Sequence, residues 1–355
     1  MSNRKLRIVI TVDPEIPVPP LYYGGIERIV YMLVSGLAKE GHEVHLFAHP
    51  ESRVPAKVIP YIGRRSTSLA DTLRNALQIR SYIRGIKKVD IVHSFSRLAY
   101  LLFIMKSSIA KVQSYQRNIT TRSIRLATWL GGKNITFTAC SRYCASTADF
   151  MGGKWRIIHN GVDTEKYKFN PSVSLDAPLV FLGRITWGKG VHTAISVAKK
   201  TNRRLVIAGN HAPCGRDYEY FQNEVLVHCE QKLIEYIGPV DDGQKNELLG
   251  SAAALLFPIE WDEPFGIVMA EALACGTPVI AFSKGSVPEV VQDHVNGFIC
   301  DNEHEMIEAV NNIGDIDRRA CRESAEKRFS QRVIVGEYIR LYEELIQRTR
   351  CNEKF

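Results

Sequence analysis

Residues 179–200 read LVFLGRITWGKGVHTAISVAKK. Leu179–Gly183 is a short β-rich apolar run, Arg184–Gly190 is a glycine-rich loop, and helical spacing resumes at Val191 and runs to about Lys200. Strand, loop and helix in that order form the repeating unit of a parallel sheet with crossover helices. The chain opens the same way. Arg7–Val12 (RIVITV) predicts a strand, and Asp13–Tyr23 is a loop with four prolines. Gly25–Glu40 then places apolar residues at 26, 29, 30, 33, 34 and 37, one face of a helix that Gly41 ends. Further strands are expected at Val44–Ala48, Asp90–Phe95, Lys111–Tyr115, Ile135–Ala139 and Trp155–His159. In the second half they are expected at Arg204–Ala208, Leu233–Ile237, Ala253–Pro258 and Pro278–Phe282. Asn160–Leu175, with Asn-Gly, Asn-Pro and several serines, reads as a linker, and Arg318–Arg350 as helix without a strand signal. Two similar α/β domains follow, with ligands expected at the carboxyl ends of their strands and in a cleft between them.

Composition agrees. At 355 residues and 40.0 kDa, two domains are expected, and 45% hydrophobic with 24% charged residues excludes general disorder. The longest apolar run, Leu98–Met105, is far below the roughly 18–20 residues of a membrane span. Ile8–Ile10 is too short for the apolar region of a signal peptide, so a cytoplasmic protein is expected. Eight cysteines without a CxxC pair or zinc-ligand spacing read as reduced, structural thiols. Charge is divided unevenly. Residues 1–165 carry 24 Lys and Arg against 11 Asp and Glu, and the remainder 22 against 27. Arg64–Lys133 alone holds 14 basic residues opposed only by Asp71 and Asp90. Such a face suits an anionic partner, either a membrane surface or a phosphorylated acceptor, unless it serves only solubility. Nucleic acid is disfavoured, since no zinc-finger spacing, RNP-like motif or basic heptad occurs.

Three places could meet phosphate. Gly24 and Gly25, after Tyr22 and Tyr23, precede a helix whose first amides attract anions, although a tight turn needs the same residues. Gly183–Gly190 nearly matches GxxxxGK[ST], with Gly190 where a magnesium-binding hydroxyl would stand. That departure counts against a triphosphatase. Arg184 and Lys189 are spaced to bind a diphosphate or simply to be surface cations. Glu260–Gly276 (EWDEPFGIVMAEALACG) places Glu263 before a short helix that offers the amides of Gly266, Ile267 and Val268. Glu271 lies on that apolar helix, where a carboxylate needs partners such as sugar or ribose hydroxyls. A helix-dipole role would explain Glu263 but not Glu271.

Glu263 and Glu271 have the Glu-x7-Glu spacing of retaining glycosyltransferases with the GT-B fold, and their surroundings resemble family 4 of that class. The resemblance runs through Tyr23-Gly24-Gly25-Ile26-Glu27-Arg28, Gly41-His42-Glu43-Val44, Asp90-Ile91-Val92-His93 and Asn160-Gly161-Val162-Asp163. It continues through Gly183-Arg184…Lys189-Gly190, Glu263-Pro264-Phe265-Gly266, Ala274-Cys275-Gly276-Thr277-Pro278-Val279 and Val287-Pro288-Glu289…Asn296-Gly297. It implies an α/β GT-B fold of two Rossmann-like domains, 1–162 for the acceptor and 163–330 for the nucleotide sugar. Residues 331–355 would form a helix crossing back to the first domain. By resemblance Glu263 contacts donor-sugar hydroxyls and Glu271 the ribose. Arg184 and Lys189 neutralise the diphosphate with amides at Gly25 and Gly266–Val268, and the strand at Ile237-Gly238-Pro239 reads the base.

The implied activity is metal-independent, retaining transfer from a UDP- or GDP-sugar. The resemblance calls for no metal and no cofactor. The acceptor is expected to be a saccharide or lipid-linked, anionic or at the inner membrane face. One departure stands out: where many members carry a His after the strand at Lys111–Tyr115, this chain has Gln116, which cannot act as a base. His93 is a substitute contact or, with more weight, a structural residue. The rival readings are a non-catalytic nucleotide-sugar-binding protein, a P-loop-like phosphohydrolase and an epimerase on the same fold.

Overall fold

The computed structural model describes residues 4–352, apart from 23, 87, 118, 120, 149–151 and 230–232. The chain divides into two compact units, Met1–Asn160 with Gln331–Phe355, and Gly161–Ser330. In the first unit, seven parallel strands are β1 (Arg7–Thr11), β2 (Glu43–Ala48), β3 (Lys57–Pro60), β4 (Ile91–Ser94), β5 (Ala110–Tyr115), β6 (Ile135–Ala139) and β7 (Trp155–Ile157). They lie in the order β3-β2-β1-β4-β5-β6-β7. In the second, β8 (Leu179–Leu182), β9 (Leu205–Ala208), β10 (Ile234–Gly238), β11 (Ala254–Phe257), β12 (Val279–Phe282) and β13 (Gly297–Cys300) lie in the order β10-β9-β8-β11-β12-β13, again all parallel. Both halves are thus the expected Rossmann-like α/β domains.

Central strands such as β4, β9 and β11 are buried along their whole length, as parallel strands covered on both faces must be. Strand order reverses direction beside β1 and β4 in one sheet and beside β8 and β11 in the other. At such a switch point the loops leaving the carboxyl ends diverge and open a crevice. In the second unit those loops are the ones holding Arg184–Gly190 and Glu263–Gly266.

Four details differ from the expectation. β3 and β13 are additional edge strands. Ile26 is only half-buried, whereas Glu27 is buried on the helix Gly25–Lys39. The C-terminal helical stretch is broken at Ser330 into Arg318–Phe329 and Gln331–Asn352, and Ser330 bridges to Val162. The supposed linker is tied to the second unit: the Lys168 amide donates to Asn246 Oδ1 (3.0 Å), and Arg322 donates to the carbonyls of Thr164 and Tyr167 (2.9 and 2.8 Å).

The helix Gln331–Asn352 packs in the first unit, on the helix Gly25–Lys39 and on β5. Gly36 makes that possible, because a Cβ there would stand 2.4 Å from Val335 Cγ2. Tyr342 on this helix lies 2.5 Å from His93 Nδ1, and the Ser114 hydroxyl lies 2.6 Å from Nε2. A neutral imidazole supplies one donor and one acceptor for these two hydroxyls. Burial pushes the His93 pKa from 6.5 down to about 3. The unfolded chain takes up this proton near pH 6.5, the folded one only near pH 3. The stability tied to neutral His93 is therefore complete above 6.5 and lost as pH falls toward 3. Urea midpoints are expected to fall between pH 6.5 and about 4, and His93→Gln to flatten that slope. An equal slope in the variant would assign the acid sensitivity to another group.

Candidate active site

The loop after β8 is shaped by glycine. Gly190 has φ +74°, and a Cβ there would stand 1.8 Å from the Pro258 carbonyl oxygen. No Ser or Thr fits this position, so the hydroxyl a triphosphatase loop requires is sterically barred. Gly209, with φ +145°, lies equally close to the loop, its Cβ position 1.7 Å from the Gly183 carbonyl oxygen. These approaches set the β8 loop directly against the end of β11. They bring together two of the predicted residues, since the Lys189 ammonium is ion-paired with Glu263 Oε2. The Lys189 ammonium also sits 5.2 Å from the Trp261 ring centroid. Arg184 is exposed in the same loop.

Gly266 adopts φ +68° immediately before the helix Ile267–Ala274, and Gly276 (φ +82°) follows its end, as the sequence predicts. The first turn leaves the Ile267 and Val268 amides without intrahelical acceptors. Four residues into this helix, Glu271 is buried, and its partners are protein groups that the sequence reading missed. The Tyr167 hydroxyl donates to Oε1 at 2.7 Å and the Lys245 ammonium at 2.5 Å. Lys245 is itself buried, on the helix Asp242–Ser251. Among the described residues no hydrogen bond is made to Glu271 Oε2. The only local signal near Lys245 is the capping box of Asp241 and Gln244, which marks the helix start but not the ion pair. At the end of β10, Gly238 (φ +77°) accepts from the Gly209 amide at 2.8 Å, and Pro239 is exposed beyond it.

In the first unit, Tyr23 lies outside the described residues. Gly24 has φ +146° and a Cβ there would collide with Pro20 at 2.8 Å, whereas a Cβ on Gly25 would meet open space. The expected anion site at this helix start is tempered by a carboxylate, because Glu27 Oε2 is 2.9 Å from the Gly24 Cβ position. Burial raises the pKa of Glu27 and also that of Asp13, which accepts from the Arg97 amide (3.3 Å) and pairs with Arg117 at 3.5 Å. Neither carboxylate was given a role from sequence: Glu27 stands only within the run Tyr23–Arg28, and Asp13 at the start of the proline-rich loop. Gln116 follows β5 directly, with Oε1 shielded from solvent and without a hydrogen-bond partner. His93 is fully buried, with the Tyr342 and Ser114 hydroxyls at its two ring nitrogens. Among the described residues no three His, Cys, Asp or Glu side chains are grouped to hold a metal ion.

Lys245→Met is expected to cost about 3–5 kcal/mol by leaving the Glu271 carboxylate buried and uncompensated. Adding Glu271→Leu should recover most of that loss in urea denaturation. A single variant as stable as the parent would show that the pair contributes nothing.

The model for Glycosyltransferase Family 4 matches residues 23–166 and that for Glycosyl transferases group 1 matches residues 163–328. The chain is 24% identical over 336 residues to the glycogen synthase of Mycobacterium tuberculosis, covering 79% of this chain and 80% of that protein. It is 24% identical over 325 residues to the phosphatidylinositol N-acetylglucosaminyltransferase gpi3 subunit of Schizosaccharomyces pombe, covering 82% and 70%. Among solved structures, AviGT4, a glycosyltransferase involved in avilamycin A biosynthesis, superposes with a TM-score of 0.73 at 25% identity over 96% of this chain and 98% of that one. With the two family models matching residues 23–166 and 163–328 in succession, and with two parallel-sheet units, the chain belongs to the GT-B glycosyltransferases of family 4.

Proposed function

We propose that the protein is a metal-independent, retaining hexosyltransferase that moves a sugar from a UDP- or GDP-sugar to a saccharide or lipid-linked acceptor. The observation that carries this reading is the Lys189–Glu263 pair at the amino end of the helix Ile267–Ala274. It sets a cation, open amides and a carboxylate where a diphosphate and a hydroxylated ring would meet. Lys189 and the exposed Arg184 would take the diphosphate charge, and Glu263 the donor-sugar hydroxyls. Glu271, held by Lys245 and Tyr167 through Oε1, would offer Oε2 to the ribose hydroxyls. The unpartnered Gln116 Oε1 favours a hydroxyl-bearing ligand near β5, where it accepts a hydrogen bond without acting as a base.

The transfer step then runs on one face of the sugar. The bond from the anomeric carbon to phosphate oxygen breaks as the acceptor oxygen bonds that carbon. The acceptor's proton passes to the departing phosphate, which leaves as nucleoside diphosphate.

The basic first unit supports an acceptor at an anionic membrane surface. Leu69, Leu73 and Leu77 form an exposed stripe on the helix Leu69–Gly85, flanked by exposed Arg65, Arg74 and Arg84. Leucines one helical turn apart beside arginines suit an interfacial helix that lies on a bilayer rather than crossing it. No helix among the described residues is long and apolar enough to cross a membrane.

In EDTA and without acceptor, slow hydrolysis of one donor from a panel of UDP-, GDP- and ADP-sugars is expected. Arg184→Ala with Lys189→Ala should abolish it, and Glu271→Gln should weaken nucleotide binding by about 1–3 kcal/mol. Normal turnover in the double variant would remove the diphosphate assignment. Silence across the panel, with thermal stabilisation by one nucleotide sugar, would mark either strict acceptor dependence or a binding protein, which transfer to an added saccharide acceptor separates. Vesicles containing phosphatidylglycerol should bind the protein at low salt and release it as salt rises, with Leu73→Ser and Arg74→Ser each weakening capture. Capture indifferent to salt would contradict the electrostatic part of this reading.

A further inference from the structure

Trp187 is 60% exposed in the loop that carries Arg184 and Lys189, yet it is not loose. Its indole lies nearly parallel to the His192 ring, with centroids 5.7 Å apart and planes at 20°. His192 is fixed in turn by the Tyr220 hydroxyl, 2.8 Å from Nδ1 and 3.1 Å from the His192 amide. Facing this aromatic pair is one side of the helical run Arg216–Val225, whose last turn, Phe221–Val225, is a π-helix. Phe221 anchors that turn by stacking on His211 at 4.1 Å with planes at 5°. Together they border an open depression of about 390 Å³ lined by Trp187, His192, Arg216, Glu219, Tyr220, Asn223 and Glu224. A π turn interrupts the regular hydrogen bonding of a helix and is frequent at functional sites.

Trp187 shares its loop with Arg184 and Lys189, but the helices that complete the pocket are not those of Glu271 and Lys245. Glu271 and Lys245 sit on helices that pack against each other and, for Glu271, on the helix Arg318–Phe329. His192 sits on the helix Val191–Lys200, which packs on the helix Glu303–Asn311. We infer that the Trp187 pocket is a saccharide-binding subsite beside the loop of Arg184 and Lys189. A pyranose presents a face of weakly electropositive C–H groups, which the negative face of an indole attracts. Around its rim it presents hydroxyls that each donate and accept. Asn223, Arg216, Glu219 and Glu224 supply both donors and acceptors at that rim. Two carboxylates beside a tryptophan would also suit a cationic peptide, but Arg216 in the same pocket opposes a cation. A depression open to solvent can seat a sugar ring without enclosing it, so the subsite would tether a glycan without taking part in bond making.

The test is isothermal titration of the full chain with maltohexaose and with cellohexaose, with no nucleotide sugar present. Saturable binding of at least one hexasaccharide is expected, with Kd of about 0.1–10 mM. Trp187→Ala should weaken it about tenfold or more, Trp187→Phe should retain most of it, and Asn223→Ala should fall between. Circular dichroism melts matching the parent would show that the variants are folded. The inference is overturned if neither hexasaccharide binds at about 10 mM, if Trp187→Ala binds as tightly as the parent, or if an oligolysine peptide occupies the pocket instead. Because no donor is used, failure here leaves the transfer reading untouched, and failure of donor hydrolysis leaves this subsite untouched.

Discussion

The backbone at Gly190 lies so close to the Pro258 carbonyl that no side chain can stand between them. That contact joins the loop after β8 to the end of β11, the two central strands where the second sheet changes direction. Gly209 against Gly183 and Gly285 against the Glu263 backbone repeat the device on either side. The loops after β8, β9, β11 and β12 are thereby layered at the carboxyl edge, with no side chain separating them at these contacts. Lys189 and Glu263, 74 residues apart, meet only because of this layering. A methyl group at any of these glycines would part the loops and leave both charges facing water, where an ion pair is worth little.

Behind the loops, stability rests on several buried polar groups that are each held by more than one partner. Arg318 is the clearest case: buried, without a carboxylate, it donates to the carbonyls of Asn170, Ala252 and Gly250 and to the Thr277 hydroxyl at 2.8–3.0 Å. It stitches the segment after Asn160 to the helix ends of the second unit. Burial lowers its pKa, but guanidinium stays charged across the working range. Glu271 with Lys245 and Tyr167 does the same for the helix that presents the open amides. In the first unit, His93 with Tyr342 and Ser114 anchors the C-terminal helix. Such networks are unforgiving, since each unpaired member would cost more than its bond contributes. They hold rigid the helices from which the reactive loops project.

The surface follows a different logic. Arginines and leucines lie side by side on the helix Leu69–Gly85, and a clamped tryptophan projects beside the β8 loop. Neither feature is needed to fold the sheets beneath it. Exposed apolar side chains cost solubility, so a run of them on one helix face, or a large ring held rigid in water, is best understood by what it meets.

The parallel sheets were legible in the sequence because strands buried on both faces must be continuously apolar and the helices between them must show one apolar stripe. The edge strands β3 and β13 were not. β3 is half exposed and ends in proline, and β13 begins with a glycine pressed on the Val279 carbonyl, so neither carries that signature. The glycines around the loops were also visible, since left-handed backbone restricts the residue type locally. The partners of Glu271, the burial of Glu27 and His93, and the break at Ser330 were decided only in three dimensions. A buried charge is balanced by whatever the fold brings to it. Tyr167 and Lys245 reach Glu271 from 104 and 26 residues away, a distance over which no local pattern survives.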